Sequence, residues 1–448
     1  MTRLTRQLGL GSATAAVVGQ IIGVGIFLTP AAMAKAVGSP FWLLVAWLLM
    51  GVMALSGALC YGALGTRFPE AGGGYAYLRE AWGERLAFLY GWQCLLVMDP
   101  GLTAALGTGV AAYVAVILPS TSGSQKAVAI GSVLALAAAN AVGLRVGDGI
   151  LRLVTLLKLG ALGALVVWGF VGGAGSFSHF VPLVAQRPGS LPLLPAMGMA
   201  TIGAFFSLAG WWTAANLGEE IRDAERVLPR ALALGIGITT VTYILVSASF
   251  VYLVPMDAVA SGETFAAQAG SALFGPIGAT ILAAVVILCV LGSLAAFQLL
   301  APRVYYAMSR DGVFLQSIGQ LHPRFGTPAR AIAVQAVLAS AFITLGTFDE
   351  IVAYFVFATV AFVALTVAGV FVIDRRAPAG ESLRSRIWAY PVTPVVFLLL
   401  SGLVLALYAA NRPWQAALGV LVVVLGAPVY EWVAASRRSK PAAAEGPA

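Results

Sequence analysis

The chain has 448 residues, 60% of them hydrophobic and only 10% charged, with a formal net charge of +8 and a mean hydropathy of +0.93. A soluble domain cannot keep so much apolar surface covered, so the chain belongs in lipid, with room for roughly a dozen spans of about 20 residues and no large soluble domain. Cys60, Cys94 and Cys289 all fall inside apolar runs, which argues against a disulfide framework or a spaced metal site.

The start, Met1 to Gly9, is short and basic, and the apolar run after it is too long for a signal peptide, so it reads as an uncleaved first span. Apolar runs between polar or Pro/Gly breaks predict twelve spans in an all-α membrane protein. The first six are Leu10–Ala34, Phe41–Gly65, Leu86–Leu118, Ala127–Leu144, Ile150–Val171 and Pro195–Gly218. The second six are Ala231–Val254, Gly278–Met308, Ala331–Gly346, Ile351–Ile373, Tyr390–Ala409 and Trp414–Trp432. An even number places both termini on one side. With a cytoplasmic N-terminus, the outer loops hold only Lys126, Arg187 and Arg412, while Lys35 and Lys158 lie at or within spans and the other Lys and Arg fall in inner loops. The positive-inside rule therefore predicts a multi-pass inner-membrane protein with both termini cytoplasmic. Basic charge spread over every inner loop forms no nucleic-acid patch. Residues 1–435 read as one transmembrane domain, and the Ala/Pro-rich tail 436–448 as disordered.

Two spans are abnormal. Span 1 carries Gly19-Gln20-Ile21-Ile22-Gly23-Val24-Gly25-Ile26-Phe27, where glycines at mid-membrane weaken a helix whose backbone must satisfy itself. Span 6 carries Phe206-Ser207-Leu208-Ala209-Gly210-Trp211-Trp212, five helices later, where a five-plus-five repeat would pair it with span 1. Unwound segments expose amides at a half-helix N-terminus for a carboxylate and carbonyls at a half-helix C-terminus for an ammonium. A zwitterion matches both ends, which points to a secondary transporter of amino acids. The alternative is that the glycines only permit close helix packing.

Three charged features add to this. Lys158 lies about eight residues inside span 5, roughly 12 Å from its cytoplasmic end, and reads as a pathway residue, a fixed charge standing in for a sodium ion, or a snorkelling or structurally paired lysine. Asp99, beside Pro100, is the one acidic residue well inside an apolar run; its readings are a protonatable coupling group, a counter-ion for a cationic substrate or for Lys158, or a structural cap at a kink. The cluster Glu219-Glu220-Ile221-Arg222-Asp223 closes span 6 and reads as solvated paired charges or, with Arg67 or Arg310, as an inner gate.

The two breaks, the run from Glu219 to Pro229, Ala307-Met308-Ser309-Arg310-Asp311-Gly312, His322-Pro323, Thr327-Pro328 and the Phe68 to Tyr75 loop resemble the amino acid–polyamine–organocation superfamily. Within it they resemble the L-type amino acid transporter branch, which includes bacterial alanine-serine-cysteine exchangers. The resemblance spans nearly the whole chain. It implies a leucine-transporter-like fold with broken helices 1 and 6, two inverted five-helix repeats over about 10–171 and 195–373 and extra helices over about 390–432, working by alternating access. It further implies a substrate carboxylate held at Gly23, Val24, Gly25 and Ile26, an amino group received near Ile21, Phe206 and Ala209, and a wall at Gly210 and Trp211, with Phe206 as an aromatic gate. Lys158 resembles the span 5 lysine that replaces a sodium site in sodium-independent members. Val24 replaces a common Ser or Thr. The relatives' span 8 hydroxyl facing that lysine corresponds to Phe297, with Ser293 one turn earlier and Gln298 adjacent, which leaves the lysine's partner open.

The expected function is exchange or proton-coupled uptake of neutral amino acids, without sodium. The competing carrier reading is a cationic amino acid, polyamine or ethanolamine with Asp99 as counter-charge. A channel lacks a repeated filter motif here. An enzyme lacks a catalytic cluster, because His179 and His322 fall in loops on opposite sides of the membrane. The expected partners are an amino acid and the lipid bilayer, with no metal, cofactor, nucleic acid or obligatory protein partner implied.

Overall fold

In the computed structural model, residues 8–68, 72–143, 148–259, 265–378 and 382–438 are described, and they are helical almost throughout. The first span is two helices, α1 (Leu10–Ile21) and α2 (Gly25–Val37), bent by 47° at their junction. The next helices are α3 (Pro40–Arg67), the short α4 (Gly74–Trp82), α5 (Glu84–Gln93), α6 (Asp99–Ile117), α7 (Gln125–Ala141), α8 (Asp148–Val171), α9 (Leu193–Ser207) and α10 (Ala224–Leu253). Then follow α11 (Phe265–Phe274), α12 (Gly278–Leu300), α13 (Arg303–Arg310), α14 (Gln316–Gly319), α15 (Ala329–Leu345), α16 (Phe348–Arg376), α17 (Val392–Asn411) and α18 (Pro413–Arg438).

Among the described residues, nine helices are long and apolar enough to cross a membrane, ten if the bent pair α1/α2 is one span. The expected fourth and ninth spans, α7 and α15, are apolar but only 17 residues each. Helix boundaries follow local chemistry. Ser39 caps α3 through its Oγ, with Pro40 in the first turn where its missing N–H costs nothing. Thr347 and Glu350 form a capping box that starts α16. The expected third span is interrupted at Cys94–Met98, a π-helical turn in which Asp99 N–H reaches back to the Cys94 carbonyl, immediately before Pro100. A proline removes one ladder donor, and a wider turn absorbs the misfit. The expected eighth span likewise divides into α12 and α13 at Ala301-Pro302.

Small residues set the closest helix packing, as expected where lipid supplies no hydrophobic drive between helices. Gly51 of α3 packs on Thr240 of α10, Gly62 on Pro229, and Gly235 of α10 on Val17 of α1. Outward faces are apolar, including Leu153, Leu156, Leu157 and Trp168 of α8 and Leu421, Val424 and Leu425 of α18. Such a surface is stable only in lipid. The C-terminal helix runs to Arg438, and 439–448, the rest of the expected disordered tail, lie outside the described residues.

Candidate functional site

The first break occupies Ile22 to Val24. Ile22 N–H closes α1 on the Val18 carbonyl at 2.8 Å, and Gly23 N–H turns back to Ile21 O at 2.8 Å. The chain then restarts as α2, whose first amides, those of Gly25 and Ile26, have no acceptor within the helix. The second break follows Ser207. Ala209 N–H returns to Phe206 O at 3.1 Å, and Gly210 takes φ +98°, the left-handed region that glycine adopts without strain. Trp211–Glu220 continues as a tight 3₁₀ segment.

The breaks are in contact. A Cβ on Gly25 would lie 2.5 Å from Ser207 Cα, and Thr29 Oγ1 is 2.7 Å from Ser207 Oγ. Tyr243 of α10 is fully buried, and its hydroxyl lies 3.0 Å from Ile21 O and 3.2 Å from Ser207 O. One phenol thus serves the carbonyl ends of both half-helices. Between the breaks is a cavity of about 20 Å³ lined by Gln20, Ile21, Gly23, Val24, Gly25, Leu102, Leu106, Phe206, Ser207, Ala209 and Phe297. That volume holds about one water.

Of the sequence-predicted binding residues, Ile21, Gly23, Val24, Gly25, Phe206 and Ala209 line this cavity, and Ile26, Gly210 and Trp211 do not. Ile26 is fully buried in the turn that opens α2. The Trp211 ring packs edge-on against Tyr61 at 5.2 Å, Trp212 at 5.5 Å and Phe397 at 6.4 Å. A second cavity of about 690 Å³ opens beyond it, lined by residues of α2, α6, α7, α9 and α16 and by Lys35, Lys126 and Arg412. Phe206, on the small cavity, meets Phe348, on the large one, edge-on at 5.4 Å. This aromatic pair and the Thr29–Ser207 hydrogen bond join the linings of the two cavities.

Lys158 is 2% exposed. Its Nζ donates to Gly19 O at 3.1 Å, Ile22 O at 3.0 Å and Ser293 Oγ at 2.7 Å. Ser293 Oγ is itself 3.0 and 2.8 Å from the same two carbonyls. The partner left open by the sequence is therefore Ser293, and the ammonium meets the carbonyls that α1 releases where it ends. Its placement follows from a side-chain ladder: Arg152 reaches Ser12, Thr155 Oγ1 reaches Ala15 O at 3.1 Å, and Lys158 reaches Gly19, one rung per turn along α1.

Asp99 is 1% exposed and accepts from the Tyr305 hydroxyl of α13. It is neither the partner of Lys158 nor part of the cavity lining. It precedes the lining residue Leu102 by one helical turn, which places it beneath the cavity, away from the vestibule.

The expected inner gate falls partly outside the described residues. The side chains of Glu219 and Glu220 lie outside the described residues, and Arg310 is exposed at the end of α13. Its neighbour Asp311 instead accepts from Arg79 Nη1 at 2.5 Å and from Tyr75 OH at 2.9 Å, both on α4. Backbone pairing between Leu8 and Ile221, with Arg222 N–H to Leu8 O at 2.9 Å, ties the chain start to the end of the second break. Sequence reasoning missed Tyr243, Tyr305, Thr29 and the Arg79–Asp311 pair. The signal available was a polar side chain in an apolar run, which marks a partner without naming it. Among the described residues no group of three His, Cys, Asp or Glu could hold a metal ion.

Two touching chain breaks around a small cavity, inside a bundle with a lipid-compatible exterior, fit a multi-pass membrane transporter. Residues 8–429 match the family model described as amino acid permease, and the chain belongs to that family. It is 30% identical over 430 residues to the serine/threonine exchanger SteT of Bacillus subtilis, covering 95% of this chain and 96% of that protein. It is 28% identical over 440 residues to the human b(0,+)-type amino acid transporter 1, covering 96% and 88%. Identity to the mouse Asc-type amino acid transporter 1 is 26% over 445 residues, covering 98% and 83%.

Proposed function

We propose that this protein exchanges neutral amino acids, or takes them up with protons, by alternating access through the two breaks. The observation that carries the reading is the meeting of the two breaks around this cavity, where the start of α2, the carbonyl ends of α1 and α9 and apolar walls at Leu102, Leu106, Phe206 and Phe297 come together; at about 20 Å³ the cavity is in a contracted state that must widen to admit an amino acid. A substrate carboxylate fits the amides of Val24, Gly25 and Ile26, and its ammonium fits Ile21 O with the carbonyls of Phe206 and Ala209. The lining holds no charged side chain, which favours a neutral side chain over a cationic one. Lys158, fixed among Gly19, Ile22 and Ser293, supports transport without sodium.

In this reading the bundle has twelve spans, with α7 and α15 as the fourth and ninth, arranged as two inverted five-helix repeats plus α17 and α18. The positive-inside charge pattern supports cytoplasmic termini at the inner membrane, with the vestibule of Lys35, Lys126 and Arg412 outside. The name of the Bacillus relative makes serine and threonine the first substrates to try. The test is counterflow in proteoliposomes preloaded with serine, threonine, alanine or leucine, with and without a proton gradient. Saturable, stereoselective uptake that ignores sodium is the expected result. Absence of uptake under every counter-substrate and gradient overturns the reading, and uptake confined to polyamines or basic amino acids replaces it with the Asp99-dependent carrier.

A further inference from the structure

Basic residues on the outer face are scarce, and most of them converge on one place. Lys35 ends α2, Lys126 begins α7 and Arg412 follows α17, yet all three line the 690 Å³ vestibule. Arg187, the remaining outer-loop cation, is taken up elsewhere by Asp257 at 3.1 Å. Lys126 is fixed there, its Nζ donating to Thr344 O at 2.8 Å. The Glu350 carboxylate accepts from Thr347 N–H at 2.8 Å and Thr347 Oγ1 at 3.0 Å and lies within electrostatic reach of Arg412 and Lys126, so it offsets part of their charge and leaves a net positive excess. The rest of the wall is largely apolar, with Leu28, Met33, Ile343, Phe348 and Val352. Low-dielectric walls around a net positive charge focus its field into the opening.

We propose that this vestibule is an outer binding site for the carboxylate of an incoming amino acid, one that concentrates zwitterionic and anionic substrates and repels polycations. The proposal deepens the transport reading above and rests on it, including its orientation. Lys35 and the carboxylate-binding amides at Gly25 stand at the two ends of one helix, about 15 Å apart along its axis. A carboxylate released by Lys35, Lys126 and Arg412 therefore descends along α2 once the Phe206–Phe348 contact opens, and meets the next positive end.

The test compares wild type with the variant combining Lys35→Gln, Lys126→Gln and Arg412→Gln in proteoliposomes, measuring initial serine uptake from low to high potassium chloride. Wild-type KM is expected to rise about 3–10-fold with salt at constant maximal rate, because a field acting through solvent is screened over about 10 Å at 0.1 M. The variant should start at the raised KM, keep its maximal rate and lose the salt dependence. Arg187→Gln, outside the vestibule, should behave as wild type. Putrescine should inhibit wild-type serine uptake no better than it inhibits the variant. A variant with unchanged KM and unchanged salt response overturns the outer site while leaving the transport reading intact. Wild-type protein with no saturable uptake overturns both.

Discussion

Lys158 and Tyr243 do the same job at the first break, and each is a single side chain holding carbonyls that a straight helix would have used itself. Removing Lys158 leaves Gly19 O and Ile22 O with Ser293 alone, which can donate to only one of them. Lys158→Met, similar in length but uncharged, is expected to lower stability by about 1–3 kcal/mol, the cost of a buried unsatisfied acceptor. Serine uptake should fall at least about tenfold, and a denaturation series in detergent alongside the uptake assay separates the two effects. Tyr243→Phe removes one hydroxyl from Ile21 O and Ser207 O at unchanged shape, so a loss of about 1 kcal/mol follows. Its uptake should drop severalfold, and full wild-type uptake would sink the idea that this phenol couples the two breaks. Lys158 was legible in the sequence because a charge deep in an apolar run is an anomaly on its own. Tyr243 was not, since tyrosine is ordinary in a membrane helix and only the fold brings α10 across both chain breaks.

The broken helices were the most legible elements, and their glycines now separate by what each must accommodate. A Cβ at Gly25 would press on the Ser207 backbone at 2.5 Å, whereas at Gly23 it would meet the end of the Leu106 side chain at 3.1 Å. Backbone cannot step aside as a flexible side chain can. Gly25→Ala should therefore cost about 2 kcal/mol and abolish uptake, and Gly23→Ala should cost less and retain folded protein. Gly210→Ala adds strain at φ +98° while its Cβ would make only ordinary contact with Gln20 O at 3.6 Å, an effect of about 1–2 kcal/mol from conformation alone. Melting curves of the three variants in one detergent check that ranking, and Gly23→Ala proving the most damaging would refute it. The π turn at Cys94–Met98 and the division of the eighth span were less legible, because Pro100 and Pro302 announce a disturbance without fixing its form. Inner-loop charges were least legible of all. The side chains of Glu219 and Glu220 lie outside the described residues, and the described pair of Arg79 with Asp311 depends on where the short α4 docks.

For the whole molecule, alternating access requires that a bundle open to one face be closed at the other by contacts weak enough to break. The vestibule is open at about 690 Å³, while among the described residues the face opposite is joined by Asp311, just after α13, held from α4, and by the backbone pairing of Leu8 with Ile221. Asp311 holds that closure through Arg79 and Tyr75, a half-buried charge-assisted arrangement worth about 1–2 kcal/mol. A difference of that size changes a two-state ratio by a factor of about 5–30. Asp311→Ala should thus shift the resting population toward the opposite opening without disturbing the cavity between the breaks. Cys94 is a native reporter: it is fully buried in the π turn beneath the cavity, and a thiol reacts only when reagent can reach it. With Cys60 and Cys289 replaced by alanine, maleimide labelling of Cys94 in detergent should accelerate about fivefold or more in Asp311→Ala, and excess substrate should change that rate. Identical labelling rates in both backgrounds would show that the Asp311 contact with α4 does not hold that face.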